Sequence, residues 1–215
     1  MSRVGRRLTR LAFLGAAALS MGQGAAQTPP PGAARATRER AMRELGARVS
    51  DPGRLQHAIA VEAIMQQLAG AAGGDRAEWG LAGLLHDIDL ADTRADPSQH
   101  GVVGARLLAE LGFSEAVVRA VEAHDDAAGR PRTTPIAQAL YCADRAYWAV
   151  HTSGLRFPSP EASKATPASV VEELGRRGAT DRIDARLVEA CGSLGLTLED
   201  VLRQCLQALR NLQQQ

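Results

Sequence analysis

Aromatic residues make up only 3% of this 215-residue sequence, and Lys164 is the one lysine among its 25 basic residues. β-Sheets use many aromatic and β-branched side chains, whereas this chain is rich in Ala and Leu, so long strands are not expected. No internal repeat is visible. No basic stripe follows the first ten residues, so we expect no nucleic-acid polymer as a partner. These absences predict an all-α globular protein.

The sequence also lacks an apolar run long enough to span a membrane. Its first ten residues carry four arginines, and residues 11–21 are largely apolar, with small residues following as far as Ala26. Eleven residues are too few for a bilayer but are typical of a secretory signal peptide. We expect residues 1–26 to be a signal peptide for export to the periplasm or beyond, with no membrane span left after cleavage. A misassigned start codon would instead make the protein cytoplasmic.

Cysteine is scarce and is not spaced for metal binding. Cys142, Cys191 and Cys205 lie far apart, and none belongs to a C-x-x-C pair. We expect all three cysteines to be small buried residues of the core. A disulfide between Cys191 and Cys205 is the alternative in an oxidising compartment.

Start signals for helices recur along the chain. Pro52 after Asp51 predicts a helix to about Ala72, and Asp75 predicts a second helix that ends near His86. Further starts are predicted at Pro97, at Ser114, at Thr133 to Pro135, and at three places after the loop 154–167, the last being the capping-box pattern at Thr197.

These signals divide the chain into three parts. Residues 27–34, with the sequence QTPPPGAA, are predicted to be a linker. Residues 35–215 are predicted to form one helical domain. Within it we distinguish a core at residues 50–152 and a C-terminal helical extension at residues 153–215.

Ionisable side chains fall on the apolar faces of four predicted helices, namely His57, His86, His124 and Asp144. Taken singly, each histidine is more typical of a hydrogen-bonded core residue, and Asp144 could pair with Arg145. A buried carboxylate costs several kcal/mol unless it is paired or bound to a metal. A cation shared by all four would remove that cost.

The order of these residues resembles the HD-domain superfamily of metal-dependent phosphohydrolases. Its minimal signature is matched by His57, by the doublet His86-Asp87 in GLLHDIDL, and by Asp144. His100 and His124 stand where the two-metal branch, which includes HD-type diadenosine tetraphosphate hydrolases, has extra ligands. Residues 35–215 also resemble small HDIG-type hydrolases over their whole length. The resemblance implies an HD-domain helical bundle.

The resemblance also implies one or two divalent metal ions. The expected metal ligands are His57, His86, Asp87, His100, His124 and Asp144. Imidazole and carboxylate without thiolate suit Mn, Fe, Co, Ni, Zn or Mg. Two metals bridged by Asp87 would lie ~3.5–4 Å apart and would generate a hydroxide nucleophile near neutral pH.

Other roles follow from the chemistry of phosphate cleavage. We predict that Asp87 is catalytic as the bridging ligand and that Asp89 holds the leaving-group proton, with Asp125 as the alternative. Many relatives have Gly-Lys after the doublet, whereas this chain has Ile88-Asp89. Without that lysine, the phosphate is expected to meet arginines near the ligand segments, namely Arg94, Arg130, Arg132 and Arg145. We assign His151 no ligand role.

The sequence therefore predicts a hydrolase that cleaves a phosphate ester or anhydride of a nucleotide-like small molecule. A phosphorylated small molecule is the expected partner. Two alternatives stay open at this point. One is a di-iron oxygenase with the same kinds of ligands, and the other is a metal-binding signalling module without turnover.

Overall fold

A computed structural model describes residues 31–156 and 159–214, and these residues form an all-α fold without strands. The ten α-helices are α1 Pro31–Gly46, α2 Pro52–Ala72, α3 Arg76–Leu85, α4 Val102–Glu110, α5 Glu115–Glu122, α6 Pro135–Thr152, α7 Pro160–Ser163, α8 Pro167–Arg176, α9 Ala185–Ser193 and α10 Leu198–Leu212. Short 3-10 turns lie at Pro97–Gln99, Asp126–Ala128 and Thr180–Arg182. The predicted fold class is confirmed.

Most predicted helix starts are confirmed, because a capping side chain lies at the first turn of each of these helices. The carboxylate of Asp51 accepts the backbone N–H of Arg54 at the start of α2, and Asp75 accepts two backbone N–H groups at the start of α3. Ser114 and Thr134 cap α5 and α6 in the same way. These side chains satisfy backbone donors that a helix start leaves free.

Three local expectations need correction. Pro97 opens only a 3-10 turn, and the next α-helix begins at Val102. The short helix α7 lies inside the predicted loop 154–167. Helix α1 was not predicted and begins at Pro31, so residues 31–34 of the expected linker are helical. Residues 1–26, the predicted signal peptide, lie outside the described residues, and export stays a prediction.

Helix α1 is tied to the bundle by an ion pair. Arg38 donates through Nε and Nη2 to both carboxylate oxygens of Glu62 on α2, at 2.5 and 2.8 Å. Glu62 is buried at 4% exposure. A buried charge of this kind must be paired, so the two-point contact secures α1 against α2.

The C-terminal extension shares one hydrophobic core with the rest of the chain. Helix α10 packs on α2 and α6, and α9 packs on α6. Leu206 and Cys191 of the extension belong to the same buried cluster as Ile64 of α2 and Leu140 of α6. The extension therefore supports α2 and α6, the two helices that carry His57 and Asp144.

All three cysteines are buried and free. The sulfur of Cys191 lies 3.5 Å from that of Cys142 on α6. The neighbour of Cys191 is thus Cys142 and not Cys205, which was its partner in the alternative disulfide. Among residues 31–156 and 159–214, no helix has the length and apolarity needed to cross a membrane.

Helices α2 and α3 approach each other closely at Gly83. A Cβ atom on Gly83 would lie 2.8 Å from the carbonyl oxygen of Val61 and 2.9 Å from the backbone nitrogen of Glu62. Real Cβ atoms are not found so close to a backbone, so only glycine allows this contact. The contact holds His57, one turn before Val61, next to His86, which directly follows α3.

We expect Gly83→Ala to destabilise the protein by about 1–3 kcal/mol, because the added methyl group forces α2 and α3 apart. The thermal midpoint should fall by about 3–9 °C. Gly192→Ala in α9 is the matched control, since its Cβ would have nothing within 4 Å. That change should be neutral or slightly stabilising. Equal midpoints for the two variants would contradict the tight contact.

Candidate metal centre

Two histidines of the site lie just beyond helix ends and are oriented by the same kind of hydrogen bond. His86 directly follows α3, and His124 follows α5 after Ala123. His86 Nδ1 donates to the carbonyl of Gly83 at 2.8 Å, and His124 Nδ1 donates to that of Val121 at 2.8 Å. In each case the acceptor is a carbonyl of the last helical turn, where the N–H groups of a following turn are missing, although the carbonyl of Val121 also accepts the backbone N–H of His124 at 3.4 Å. The bond places the proton on Nδ1 and turns Nε2 toward the site.

His100 is held in the same orientation by a carboxylate. Its Nδ1 donates to Asp89 Oδ1 at 2.8 Å, while Asp89 Oδ2 accepts the backbone N–H groups of Gly101 at 2.9 Å and Gly104 at 2.7 Å. Gly101 is required here, because its φ is +80° and a Cβ would lie 2.7 Å from the carbonyl oxygen of Val121. Asp89 therefore links the turn before α4 to the site and aims His100 Nε2 inward.

His57 and Asp144 reach the site from the interiors of α2 and α6. His57 Nε2 lies 3.1 Å from His86 Nε2 and 3.2 Å from Asp144 Oδ1. The buried atoms Asp144 Oδ1 and His57 Nδ1 have no hydrogen-bond partner of proper geometry among the described residues. An unsatisfied buried carboxylate oxygen is costly in a folded protein, and a bound cation would satisfy it.

The carboxylate of Asp87 lies at the centre of these groups. Its Oδ2 is 3.7 Å from His57 Nε2, and its Oδ1 is 3.4 Å from His86 Nε2 and 3.1 Å from His100 Nε2. His124 Nε2 lies 3.8 Å from the same Oδ1 and 3.1 Å from His100 Nε2. The two oxygens of Asp87 thus face different histidines, as a ligand bridging two cations requires.

The histidines around Asp87 keep its carboxyl group ionised. Burial opposes ionisation of Asp87, but His86 and the other histidines outweigh it and hold the pKa of this carboxyl well below its usual range. Burial of His100 favours its neutral form, yet hydrogen bonds to Asp87 and Asp89 raise its pKa to about 10. The pKa of Asp144 is also lowered, against burial, by His57 and His86. The site therefore keeps its carboxylates ionised.

The arrangement contains two groups of atoms that could hold a divalent metal ion. One group is His57, His86 and Asp144, and the other is His86, Asp87 and His124. His100 adjoins the second group through its contacts with Asp87 and His124. The donors are carboxylate oxygens and imidazole nitrogens, which bind a metal in their neutral form, and this set fits Zn, Fe, Mn, Co or Ni and, less well, Mg. The residues present thus fit a metal centre.

Residues 54–148 match the HD domain family. The chain contains an HD domain. The match supports a metal-dependent hydrolase at the level of the superfamily, and it ends at Trp148, so helices α7–α10 lie outside it.

Curated relatives match shorter stretches. Ribonuclease Y of Lawsonia intracellularis is 35% identical over 79 residues, which cover 37% of this chain and 15% of that protein. Ribonuclease Y of Nitratidesulfovibrio vulgaris is 31% identical over 90 residues, covering 42% and 17%. An uncharacterized protein of Methanocaldococcus jannaschii is 50% identical over 44 residues, covering 20% and 25%. The chain thus spans a quarter or less of these relatives' lengths. No solved structure gives a significant match.

The structure brings all six predicted metal ligands together. Asp89, however, lies outside this cluster of ligands, behind His100. The side chain of Asp89 is fully buried behind His100, and both of its oxygens accept hydrogen bonds. It lines neither of the two cavities beside the site. Asp89 therefore positions His100 and does not meet a leaving group, which corrects the catalytic role predicted for it.

Asp125, the alternative proton donor, does line a cavity. This small cavity of about 320 Å³ is bounded by His124, Asp125, Asp144, Arg145, Trp148 and Arg182. Arg182 was not predicted, because it belongs to the C-terminal extension and no sequence spacing connects it with the ligands. The small cavity combines two guanidinium groups with two metal-ligand candidates.

The four predicted phosphate-binding arginines have different surroundings. Only Arg145 lines the small cavity, and its Nη2 also donates to Asp126 at 2.8 Å. Arg132 is occupied, because it donates to Asp126 and to the carbonyl of Ala123 and lies over the ring of Tyr141. The exposed side chains of Arg130 and Arg94 line neither cavity, and Arg130 faces Glu122 at 3.5 Å. Of the four, Arg145 is therefore the one placed to bind phosphate.

We expect ligand substitutions to separate two metal positions. Asp87→Ala should remove bound metal, because Asp87 is the one carboxylate among the described residues that lies near all four histidines. His57→Ala, His86→Ala and Asp144→Ala should behave alike. His100→Ala and His124→Ala should lower the metal content toward one equivalent, whereas His151→Ala should leave it unchanged. Elemental analysis of purified variants measures this. Full metal content in the His100 and His124 variants would reduce the centre to one metal.

We expect Asp89→Asn to imitate His100→Ala. Asp89 accepts hydrogen bonds from three N–H groups, and an asparagine would turn its own NH2 group toward at least one of them. With the NH2 group facing His100, the hydrogen bond that orients this ring would be lost. The metal content should fall toward one equivalent although Asp89 touches no metal position. Asp92→Asn, an exposed residue in the same segment, is the control. Parental metal content in Asp89→Asn would remove the positioning role.

Proposed function

We propose that this HD domain is a phosphohydrolase that cleaves a phosphate ester or anhydride of a nucleotide-like small molecule. One observation carries the proposal: the carboxylate of Asp87 faces histidines through both oxygens, beside a small cavity that also holds two guanidinium groups. Divalent cations held by His57, His86, Asp87, His100, His124 and Asp144 would lower the pKa of a bound water and neutralise phosphoryl charge.

The arginines of the small cavity provide the phosphate contact. Arg145 and Arg182 line it together with Asp144 and His124. A guanidinium can donate two parallel hydrogen bonds to phosphoryl oxygens, and its planar fork matches their geometry. Asp126 accepts from Arg145 at 2.8 Å and so limits the positions that this side chain can take. Arg145 and Arg182 would hold the phosphoryl group beside His124 and Asp144.

Asp125 is the side chain placed to manage the leaving group. In hydrolysis the oxygen of water bonds to phosphorus, the bond from phosphorus to the leaving oxygen breaks, and the leaving oxygen gains a proton. Asp125 lines the small cavity, and one of its oxygens accepts the backbone N–H of Ala127 at 2.7 Å. Its second oxygen would hold the proton that the leaving group gains, which is the role that the sequence predicts for Asp89.

A second candidate is cleavage of a phosphodiester bond in RNA. It is favoured by the relatives named Ribonuclease Y, which share the HD segment at 31–35% identity. The absence of a basic stripe beyond the first ten residues argues for a small molecule instead. A short RNA oligonucleotide therefore belongs in the substrate panel.

We expect phosphate release from at least one nucleotide or sugar phosphate when the protein is loaded with a suitable metal. The assay compares Mn, Fe, Co, Ni, Zn and Mg against phosphomonoesters, anhydrides and the RNA oligonucleotide. Asp87→Ala should abolish release, because it removes the ligand shared by both groups of histidines. Arg145→Met should raise KM about tenfold or more through the lost charge-assisted bonds. Arg106→Met, on the exposed side of α4, is the control.

Other outcomes identify the alternatives. RNA cleavage without release from small phosphates would favour the second candidate. Oxygen uptake by an iron-loaded protein would favour a di-iron oxygenase. A metal-loaded protein with neither activity would contradict the hydrolase and favour a signalling module.

A further inference from the structure

A second, larger cavity opens beside the metal centre. It has a volume of about 1060 Å³, and His57 and Asp87 form part of its wall. Its apolar wall comes from the beginning of α2, the end of α6 with the loop after it, and helix α10, through Leu55, Ile59, Val150, Leu155, Leu209 and Leu212. Pockets for small organic ligands have a similar size and apolar lining. The volume far exceeds the space that a phosphate group alone requires.

Aromatic side chains are concentrated at this cavity. The whole sequence has two tryptophans and two tyrosines, and Tyr147 and Trp148 both line the cavity wall. Their ring centroids lie 5.4 Å apart, and that of His151 lies 5.4 Å from Trp148. In a chain with 3% aromatic residues, such a cluster beside the metal centre is a distinctive feature of the site.

The two neighbouring aromatic residues have different surroundings. Tyr147 packs edge-on against the ring of His57 with centroids 4.5 Å apart, so it supports a metal-ligand candidate. The ring of Trp148 also lies against that of His57, with centroids 5.1 Å apart, but Trp148 is 39% exposed, unlike the buried Trp79. An exposed tryptophan at a cavity wall leaves apolar ring surface available to a ligand.

Trp148 also connects the two cavities. It lines both the large cavity and the small cavity of Arg145 and Arg182, and it lies one helical turn after Asp144 on α6. A molecule whose phosphate binds in the small cavity would therefore have its organic part next to the indole ring.

We propose that the large cavity binds a planar aromatic ring of the phosphorylated substrate, with Trp148 as the stacking surface and specificity-determining residue. The proposal rests on the phosphohydrolase function and names its substrate class, phosphate esters whose organic part carries such a ring. Leu209 and Leu212 of α10 form another part of the wall. Trp148 lies at the end of the segment that matches the HD family, whereas α10 lies outside it, so the C-terminal extension completes the wall of the ring site.

The test uses Trp148 as its own reporter. In a Trp79→Phe background Trp148 is the only tryptophan, so its fluorescence reports on the cavity. The metal-loaded protein is titrated with benzylphosphonate and with cyclohexylmethylphosphonate, which differ in the planarity of the ring. Benzylphosphonate should quench Trp148 and bind about five- to tenfold more tightly, because stacking adds to the burial of area. Equal affinities, or no binding of either probe, would overturn the proposal.

Calorimetry on two variants separates stacking from a general apolar effect. Trp148→Leu keeps the wall apolar and should remove the preference for the planar probe, whereas Trp148→Phe should restore most of it. Metal content should stay at the parental level in both variants, because Trp148 supplies no ligand. A preference that survives in Trp148→Leu would assign ring selection to another residue and sink the proposal.

A phosphate-free pair distinguishes this proposal from the phosphohydrolase function. Benzyl alcohol should quench Trp148 more strongly than cyclohexylmethanol at millimolar concentrations. A preference for the planar ring without any phosphate release would support the aromatic site and contradict the hydrolase. Phosphate release without a preference for the planar ring would support the hydrolase and contradict the aromatic site.

Discussion

The carboxylate of Asp87 lies among four imidazoles, and much of the local structure keeps those imidazoles in place. Three of the four rings turn one nitrogen toward Asp87 and have a partner for the other nitrogen, whereas Nδ1 of His57 has no partner of proper geometry among the described residues. His86 and His124 use carbonyls of their own helices, and His100 uses Asp89. Without such partners the rings could rotate or change tautomer. The helix ends, the turn before α4 and the contact at Gly83 therefore serve one geometric requirement.

The same kind of hydrogen bond orients two ligands that lie just beyond helix ends. The carbonyls of the last turn lack the N–H groups of a following turn, and the helix dipole gives this end partial negative charge. A histidine placed there donates Nδ1–H to one of these carbonyls and leaves Nε2 for a cation. His86 does this at the end of α3, and His124 does it at the end of α5. Two helix ends thus converge on a position that favours positive charge.

The sequence predicts the ligands better than the surroundings of the ligands. His57, His86, His124 and Asp144 are recognisable because apolar faces and residue order mark them. The role of Asp89 depends on backbone donors 12 and 15 residues away, which only the folded turn brings to its carboxylate. Arg182 comes from the extension, and no local pattern connects it with Asp87. Helix α1 has few core residues, and its ion pair with Glu62 joins residues 24 apart.

The two cavities differ in polarity, and the candidate metal ligands line both of them, His57 and Asp87 the large one and His124 and Asp144 the small one. The small cavity offers guanidinium and carboxylate groups, whereas the wall of the large one is mainly apolar and aromatic. A substrate with a phosphate at one end and a ring at the other can bind both ends at once. Binding energy from the ring end can then help position the phosphoryl group, so a substrate without the ring loses rate as well as affinity. Trp148 follows Asp144 by one turn of the same helix, α6. A substrate ring stacked on Trp148 would therefore fix the distance between that ring and a phosphate bound next to Asp144.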